Sequence, residues 1–291
     1  GDSLSWEHFR SLNHLLGQRH VSQHSMWESK SSQDNIKSLV CRNQVRLVFR
    51  RDDLLTNVSD SIFDSQTFPQ VLVLNRGSHY KNDTTLLSGI NNDVIPAIKD
   101  WQETCADLGV KCHLFWRTSV PGHPGCNATT NKFTQPLNDI TEMERLIADT
   151  SMYNNRTMEY HWYDYKHQNS LVEDLLQTKL HDFDAPVVVG DSNERGHFER
   201  IDDQQHQSRH DNTFDIIDAY DINILRPDEH RAHQGDCLHN CYPGKMDVYN
   251  QLLLHFLKMR RTERDVEELI AFQDAITAQI NATSTNSNTT R

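Results

Sequence analysis

Five short, mostly apolar runs constrain this chain more than any other feature. They are Val45–Phe49, Gln70–Leu74, Cys112–Trp116, Ala185–Val189 and Phe214–Ala219. Runs of this length suit strands better than helices. The continuous apolar run at 70–74 has the character of a buried parallel strand. Between the runs, apolar residues recur at helical spacing. Leu4 to Arg19 carries Trp6, Phe9, Leu12, Leu15 and Leu16 on one side. Asp93 to Leu108 carries Val94, Ile95, Ile98, Trp101 and Leu108, with Pro96 in its first turn. Asp139–Ala148, Ser170–Leu180, Met246–Met259 and Thr262–Ile280 also read as helices, residues 20–38 as a loop, and 281–291 as a disordered tail. Strands alternating with helices predict an α/β fold with a mainly parallel sheet.

Charge narrows the partners. The 29 Lys and Arg against 41 Asp and Glu give a net charge of −12. Phosphate backbones and anionic lipid surfaces both require clustered basic residues, so nucleic acid and membrane contact are excluded. No run approaches the roughly 18 apolar residues of a membrane span. Only 36% of residues are hydrophobic, but 11 Phe, 5 Trp and 8 Tyr argue against a disordered chain.

Cys41, Cys105, Cys112, Cys126, Cys237 and Cys241 make an even set with no C-x-x-C pair. That suits disulfides better than a zinc ribbon. Sequons occur at Asn57, Asn82, Asn127, Asn155, Asn281 and Asn288. Together these favour a secretory setting, either the Golgi lumen or the cell exterior. The alternative is a cytosolic chain with chance sequons and free thiols. No metal or cofactor is called for: Cys237 and Cys241 flank a histidine, but a soft-metal site there is the lesser reading.

Gly1-Asp2-Ser3 precedes a helix and sets a hydroxyl beside backbone N–H groups that can stabilise an oxyanion. Gly190-Asp191-Ser192 is a second copy, behind a strand. Either can equally be a helix cap or an Asp-Ser turn. Downstream, Asp236-Cys237-Leu238-His239 spaces a carboxylate three residues before a histidine. On a tight turn the carboxylate can hold the imidazole tautomer while the other ring nitrogen takes the serine proton. Among 17 histidines such a pair taken alone reads better as a surface turn. His197, His206 and His210 lie in a polar stretch and read as a solvated loop.

Ordered blocks join these pieces: GDSL at 1–4, LNRGSHY at 74–80, WRTSVPGH at 116–123, DINILRPDEH at 221–230 and DCLHNCYPGKMDVYN at 236–250. In this order they resemble the PC-esterase branch of the GDSL/SGNH hydrolases, which includes the trichome-birefringence-like polysaccharide O-acetyltransferases. The last block is the most specific. The resemblance spans Gly1 to about residue 259. It implies an SGNH-like three-layer α/β/α catalytic domain over 1–259, followed by a helix at 260–280 and a tail at 281–291.

By that resemblance Ser3 is the nucleophile, His239 its general base and Asp236 the orienting acid. The Ser3 N–H supplies one oxyanion donor, and Asn75 or Gly77 another. Arg117 and His123 are expected near the site as substrate-pocket residues, with His79 a further possibility. Cys126 is expected to pair with Cys241. A Cys105–Cys112 bridge is suggested by their proximity in sequence, leaving Cys41 with Cys237. Ser192 has no counterpart in the family and remains a competing nucleophile. Two departures bear on the acceptor: Gly-His-Trp-Trp becomes Gly77-Ser78-His79-Tyr80, and His-Trp-Cys becomes His239-Asn240-Cys241. The expected activity is acyl transfer on carbohydrate O-acetyl groups, most simply polysaccharide O-acetylation from an unspecified acetyl donor. Carbohydrate O-acetyl esterase and a non-catalytic luminal or secreted glycan-binding protein are the alternatives. Because the chain opens on Gly1 without Met, the expectation is a piece of a signal-bearing or membrane-anchored protein. Its sheet is expected to lack the strand that leads into the GDS turn. Oligomeric state is not indicated.

Overall fold

A computed structural model describes residues 1–17, 36–40, 45–63, 68–76, 79–80, 82–124, 133–153, 158–180, 213–231, 236–241 and 243–259. Contacts divide the chain into two compact units, Gly1–Asn250 and Gln251–Arg291. Of the second unit, residues 251–259 are described, and they are helical.

The first unit is mixed α/β. Helix α1 (Ser3–Leu15) is followed by strands β1 (Ile36–Val40) and β2 (Val45–Phe49), which pair antiparallel. Helix α2 (Val58–Phe63) leads to strand β3 (Val71–Leu74). Helix α3 (Asp83–Gly89) continues through a π turn at Ile90–Val94 into helix α4 (Ile95–Asp107). Strand β4 (His113–Arg117) follows, then α5 (Ile140–Ala148), α6 (Tyr165–Leu180), β5 (Thr213–Ile217) and the short α7 (Tyr220–Ile224). Strands β6 (His230–Arg231) and β7 (Asp236–Asn240) form an antiparallel pair, and α8 (Lys245–Met259) closes the described chain.

The expected parallel sheet is present in small form. Its order is β3-β4-β5, all parallel, with Leu74 opposite Trp116 and Trp116 opposite Ile216. Residues with inward alternation on β3 and β4 meet α4 and α6: Leu74, Leu114 and Trp116 pack with Ile98, Trp101, Val172 and Leu176. A second cluster joins α5, α7 and the 160s: Met143, Ile147, Trp162, Tyr165, Tyr220 and Ile224. A disulfide between Cys105 and Cys112 ties the end of α4 to the start of β4, as the sequence suggested.

Several expectations are corrected. Residues 36–38 are strand, not loop. Strand β2 pairs with β1 outside the parallel sheet. Strand β3 is parallel but only half-buried: Leu72 and Leu74 face the core, whereas Val71 and Val73, on the opposite face, are 40% and 37% exposed. The helix expected at Asp93–Leu108 is present as α4, but α3 precedes it through the π turn and starts at Asp83, where the Asn82 side chain caps it by accepting the Thr85 N–H. Asp236 and His239 lie on a short strand rather than in a tight turn. The strand expected at 185–189, the helix at 262–280, the tail at 281–291 and most of the 20–38 loop lie outside the described residues. Among the described residues no helix is long and apolar enough to cross a membrane.

Candidate active site

The N-terminal turn is built to expose one hydroxyl. Asp2 adopts an extended conformation and caps α1, its Oδ1 accepting the N–H groups of Leu4 and Ser5, each at 3.1 Å. Gly1 is pinned from both sides: its nitrogen donates to the Arg50 carbonyl (3.2 Å), and its own carbonyl accepts the Asp52 N–H (3.0 Å). A Cβ at Gly1 would sit 2.3 Å from Ser5 Oγ, so a larger residue could not hold this turn. Ser3 thus becomes the first residue of α1, half-buried, and its N–H has no carbonyl within the helix to bond.

Behind this turn lies a buried polar network. Arg117, at the end of β4, is 1% exposed. Its Nη2 donates to Asn75 Oδ1 (2.7 Å) and Ser5 Oγ (3.1 Å), and it stands 3.9 Å from Asp2 Oδ1. Asn75, just past β3, returns a bond from Nδ2 to the Arg117 carbonyl (2.8 Å). Burial would push the Asp2 carboxyl up, but the Arg117 charge and the Ser5 N–H outweigh it and hold the acid below its ordinary range. The network therefore keeps a charged cap under the serine helix.

Asp236 and His239 arrive on β7. Asp236 Oδ1 accepts the N–H groups of Leu238 (3.1 Å) and His239 (3.0 Å), which curls the strand and brings residues three apart face to face. Asp236 Oδ2 then accepts His239 Nδ1–H at 2.8 Å. His239 Nε2 lies 3.0 Å from Ser3 Oγ, across 236 residues of sequence. Partial burial works against the Asp236 charge. The bonds from the His239 imidazole and from the His239 and Leu238 N–H groups prevail and hold the carboxyl well below the usual carboxylate range. An ionised Asp236 can only accept, so His239 carries its proton on Nδ1 and presents the Nε2 lone pair to the serine hydroxyl. Such an array can move a proton off Ser3 and stabilise the imidazolium that results.

The quoted sequence blocks converge here. Thr118 Oγ1 accepts the N–H groups of Ala219 (2.8 Å) and Tyr220 (3.1 Å), and Asn223 Nδ2 donates to the Pro121 carbonyl (2.8 Å). The His123 N–H donates to the Cys237 carbonyl (2.9 Å). A Cβ at Gly122 would fall 2.3 Å from the Trp162 ring and 2.7 Å from the Cys237 carbonyl, so only glycine permits this approach.

Two expected pocket residues do not line a pocket. Arg117 and His123 are 1% and 0% exposed, their side chains committed to Asn75 and Ser5 and to His230. His79 is exposed and pairs with Asp53 at 3.6 Å, beside the Tyr160 ring. Asn75 is buried, and its amide is engaged by Arg117 at both ends, leaving only its second N–H for an oxyanion. Gly77 lies outside the described residues, as do Ser192, His197, His206 and His210. The Cys126–Cys241 bridge is not formed: Cys241 is an exposed thiol, and Cys126 is outside the described residues. Cys41, the expected partner of Cys237, is outside them too. Asn57 and Asn82 are exposed, as an acceptor of glycan must be; Asn127, Asn155, Asn281 and Asn288 are not described.

Four buried groups near the site escaped the sequence reading: Glu7, His8, His230 and Lys245. Glu7 had one available signal, its place one helical turn after Ser3. His230 closes the RPDEH block but carried no assigned role.

A Ser-His-Asp array on a mixed α/β chain is the class of site this geometry defines. Comparison of the chain with protein-family models, curated proteins and solved structures gives no match.

Proposed function

We propose that this chain is a serine-dependent acyl-transfer enzyme acting on carbohydrate O-acetyl groups, and that its main activity is polysaccharide O-acetylation through an acyl-enzyme on Ser3. One observation carries the reading: the unbroken hydrogen-bonded chain Asp236–His239–Ser3, with links of 2.8 and 3.0 Å. Ser3 Oγ attacks the acyl carbonyl as His239 Nε2 takes its proton. The Ser3 N–H, at the positive end of α1, faces the developing oxyanion. His239 returns the proton to the leaving oxygen. In the second half a sugar hydroxyl gives its proton to His239 and attacks the acyl carbon, and His239 passes that proton to Ser3 Oγ as it leaves.

The wider reading is a PC-esterase-like, SGNH-type catalytic domain. The ordered sequence blocks support it. So do Asn75, just past β3, and Arg117, the last residue of β4, at the carboxyl ends of two parallel strands, where α/β sheets place their sites. The partners are a carbohydrate and an acetyl donor. A secretory or extracytoplasmic setting is supported by the Cys105–Cys112 bridge and the exposed sequons at Asn57 and Asn82.

Esterase activity is the second reading. The His239 and Asp236 side chains keep 21% and 30% of their surface exposed, which gives water a route to the acyl-enzyme. Incubation with an acetylated donor and xylan or pectin oligosaccharides, read by mass spectrometry, separates the two. Gain of acetyl groups identifies the transferase; loss from acetylated oligomers identifies the esterase. A fluorophosphonate probe should label Ser3 in the folded protein, and Ser3→Ala should abolish labelling. Absence of labelling favours the glycan-binding alternative. Labelling lost in Ser192→Ala but kept in Ser3→Ala would assign the nucleophile to Ser192.

A further inference from the structure

We propose that Glu7 and His230 are positioning residues that clamp the His239–Asn240 peptide unit and so hold the base against Ser3. The inference rests on the triad reading. Both polar ends of this one peptide are taken by buried side chains. The His239 carbonyl accepts from His230 Nδ1 at 2.9 Å. The Asn240 N–H, at the other edge of the same plane, donates to Glu7 Oε2 at 3.1 Å, and Asn240 Nδ2 adds a second bond to that oxygen at 3.2 Å. Glu7, His230 and Asn240 are 3%, 5% and 1% exposed.

The clamp matters because, among the described residues, the strand β6 paired with β7 has two residues and the pairing slips between His230 and Arg231; the backbone bonds from His123 N–H to the Cys237 carbonyl and from Cys241 N–H to the Glu229 carbonyl flank the His239–Asn240 peptide without holding its two ends. A histidine on so short a ladder is oriented mainly by what fixes its own peptide plane. Glu7 does this from α1, four residues beyond Ser3 and on the same face of the helix. Nucleophile and base peptide are thereby referred to one rigid element.

The proton positions in the clamp are determined. A carbonyl only accepts, so His230 carries hydrogen on Nδ1. Its Nε2 lone pair accepts from His123 Nδ1–H in a close contact between the two buried rings. A further proton on His230 would set N–H against N–H, and on either ring burial opposes it first and the nearby Lys245 next.

Two substitutions at one position separate the two bonds. In His230→Asn the side-chain amide nitrogen overlies the imidazole Nδ1 and keeps the bond to the His239 carbonyl while losing His123. In His230→Gln the amide reaches the Nε2 position and keeps His123 while losing the carbonyl. The substrate-free readout is the low-field proton resonance of His239 Nδ1–H bonded to Asp236, together with titration of the His239 ring. The second readout is kcat and KM for acyl transfer. His230→Gln should broaden that resonance and lower kcat about 10²-fold with KM little changed, as expected for a displacement near 1 Å at the base. His230→Asn should keep the resonance and most of kcat. Equal behaviour of the two variants overturns the clamp. If wild-type protein shows no acyl transfer, the functional reading falls, and the resonance still decides the clamp. Glu7→Gln, which keeps an acceptor, against Glu7→Met, which does not, gives the same comparison should the His230 variants fail to fold.

Discussion

Acid should unfold this protein earlier than its carboxylates alone would require, because two histidines are locked neutral in its interior. Burial lowers His8 and His230 from 6.5 to about 3. A lowered native pKa means the unfolded chain binds the proton first. The stability from such a group is complete above pH 6.5 and is lost as pH falls toward 3. Within that window each histidine changes the folding free energy by about 1.4 kcal/mol per pH unit. Between pH 7.5 and 5.0 each should remove about 2 kcal/mol, and the pair about 4 kcal/mol. That is a large share of the roughly 5–15 kcal/mol that holds a typical domain folded. His123, also lowered by burial, acts in the same direction. The Gly1 amine, lowered by burial from 8.0 to about 6, loses stability in the same direction within this window, so the histidine share is read from His8→Gln. Asp2 and Asp236, both held below the ordinary carboxylate range, lose their contribution only at more acid pH. Lys245, lowered by burial to about 7, acts mainly between pH 7 and 10.5. Urea unfolding at pH 7.5, 6.0 and 5.0 measures the effect, with a constant m-value confirming that stability alone changed. His8→Gln should reduce the loss by about 2 kcal/mol. A stability flat to within about 1 kcal/mol across these pH values, or an undiminished loss in His8→Gln, would refute the reasoning.

Three further outcomes follow from single contacts. Asp236→Asn keeps an oxygen for the Leu238 and His239 N–H groups but turns an N–H toward His239 Nδ1; the wrong tautomer should cost about 10⁴-fold in kcat with an unchanged melting temperature, measured by aryl-acetate turnover and calorimetry. Gly122→Ala drives a methyl group into the Trp162 ring and the Cys237 carbonyl, and should destabilise by about 1–3 kcal/mol in urea titration. The double substitution Cys105→Ala/Cys112→Ala opens a loop of sequence separation 7 and should lower stability by about 2–2.5 kcal/mol, read against the oxidised protein in urea.

What was legible in the sequence was what is decided locally. α1, β2, α5 and α8 fall at or near their expected positions, because apolar period and capping residues sit within each segment. β1 was hidden because Ile36-Lys37-Ser38-Leu39-Val40 breaks simple alternation. α3 was hidden because its Thr-Thr-Leu-Leu-Ser-Gly stretch is poor in helix formers and is held by the Asn82 cap. The run at Val71–Leu74 announced a strand, but nothing in an apolar run says whether neighbours cover both of its faces.

The site divides along the same line. The acid and base are three residues apart and the nucleophile starts a helix, so both halves carried local signals. The roles of Arg117 and His123 depended on burial, which no motif displays; their side chains turned inward to support the site instead of lining it. Glu7 and His230 depend on contacts that span 233 and 107 residues to Asn240 and His123. Yet these distant contacts make one mechanical unit of the site. α1 carries Ser3 at its start and Glu7 one turn later, and its Ser11 hydroxyl meets Asn250 Nδ2 at 2.8 Å at the other end of the helix. A displacement of α1 therefore carries the nucleophile and, through the Asn240 peptide, the base in the same direction. Substitutions that shift the helix as a body should be tolerated better than those that break its grip on β7, and the Glu7 and His230 contacts are where that grip is held.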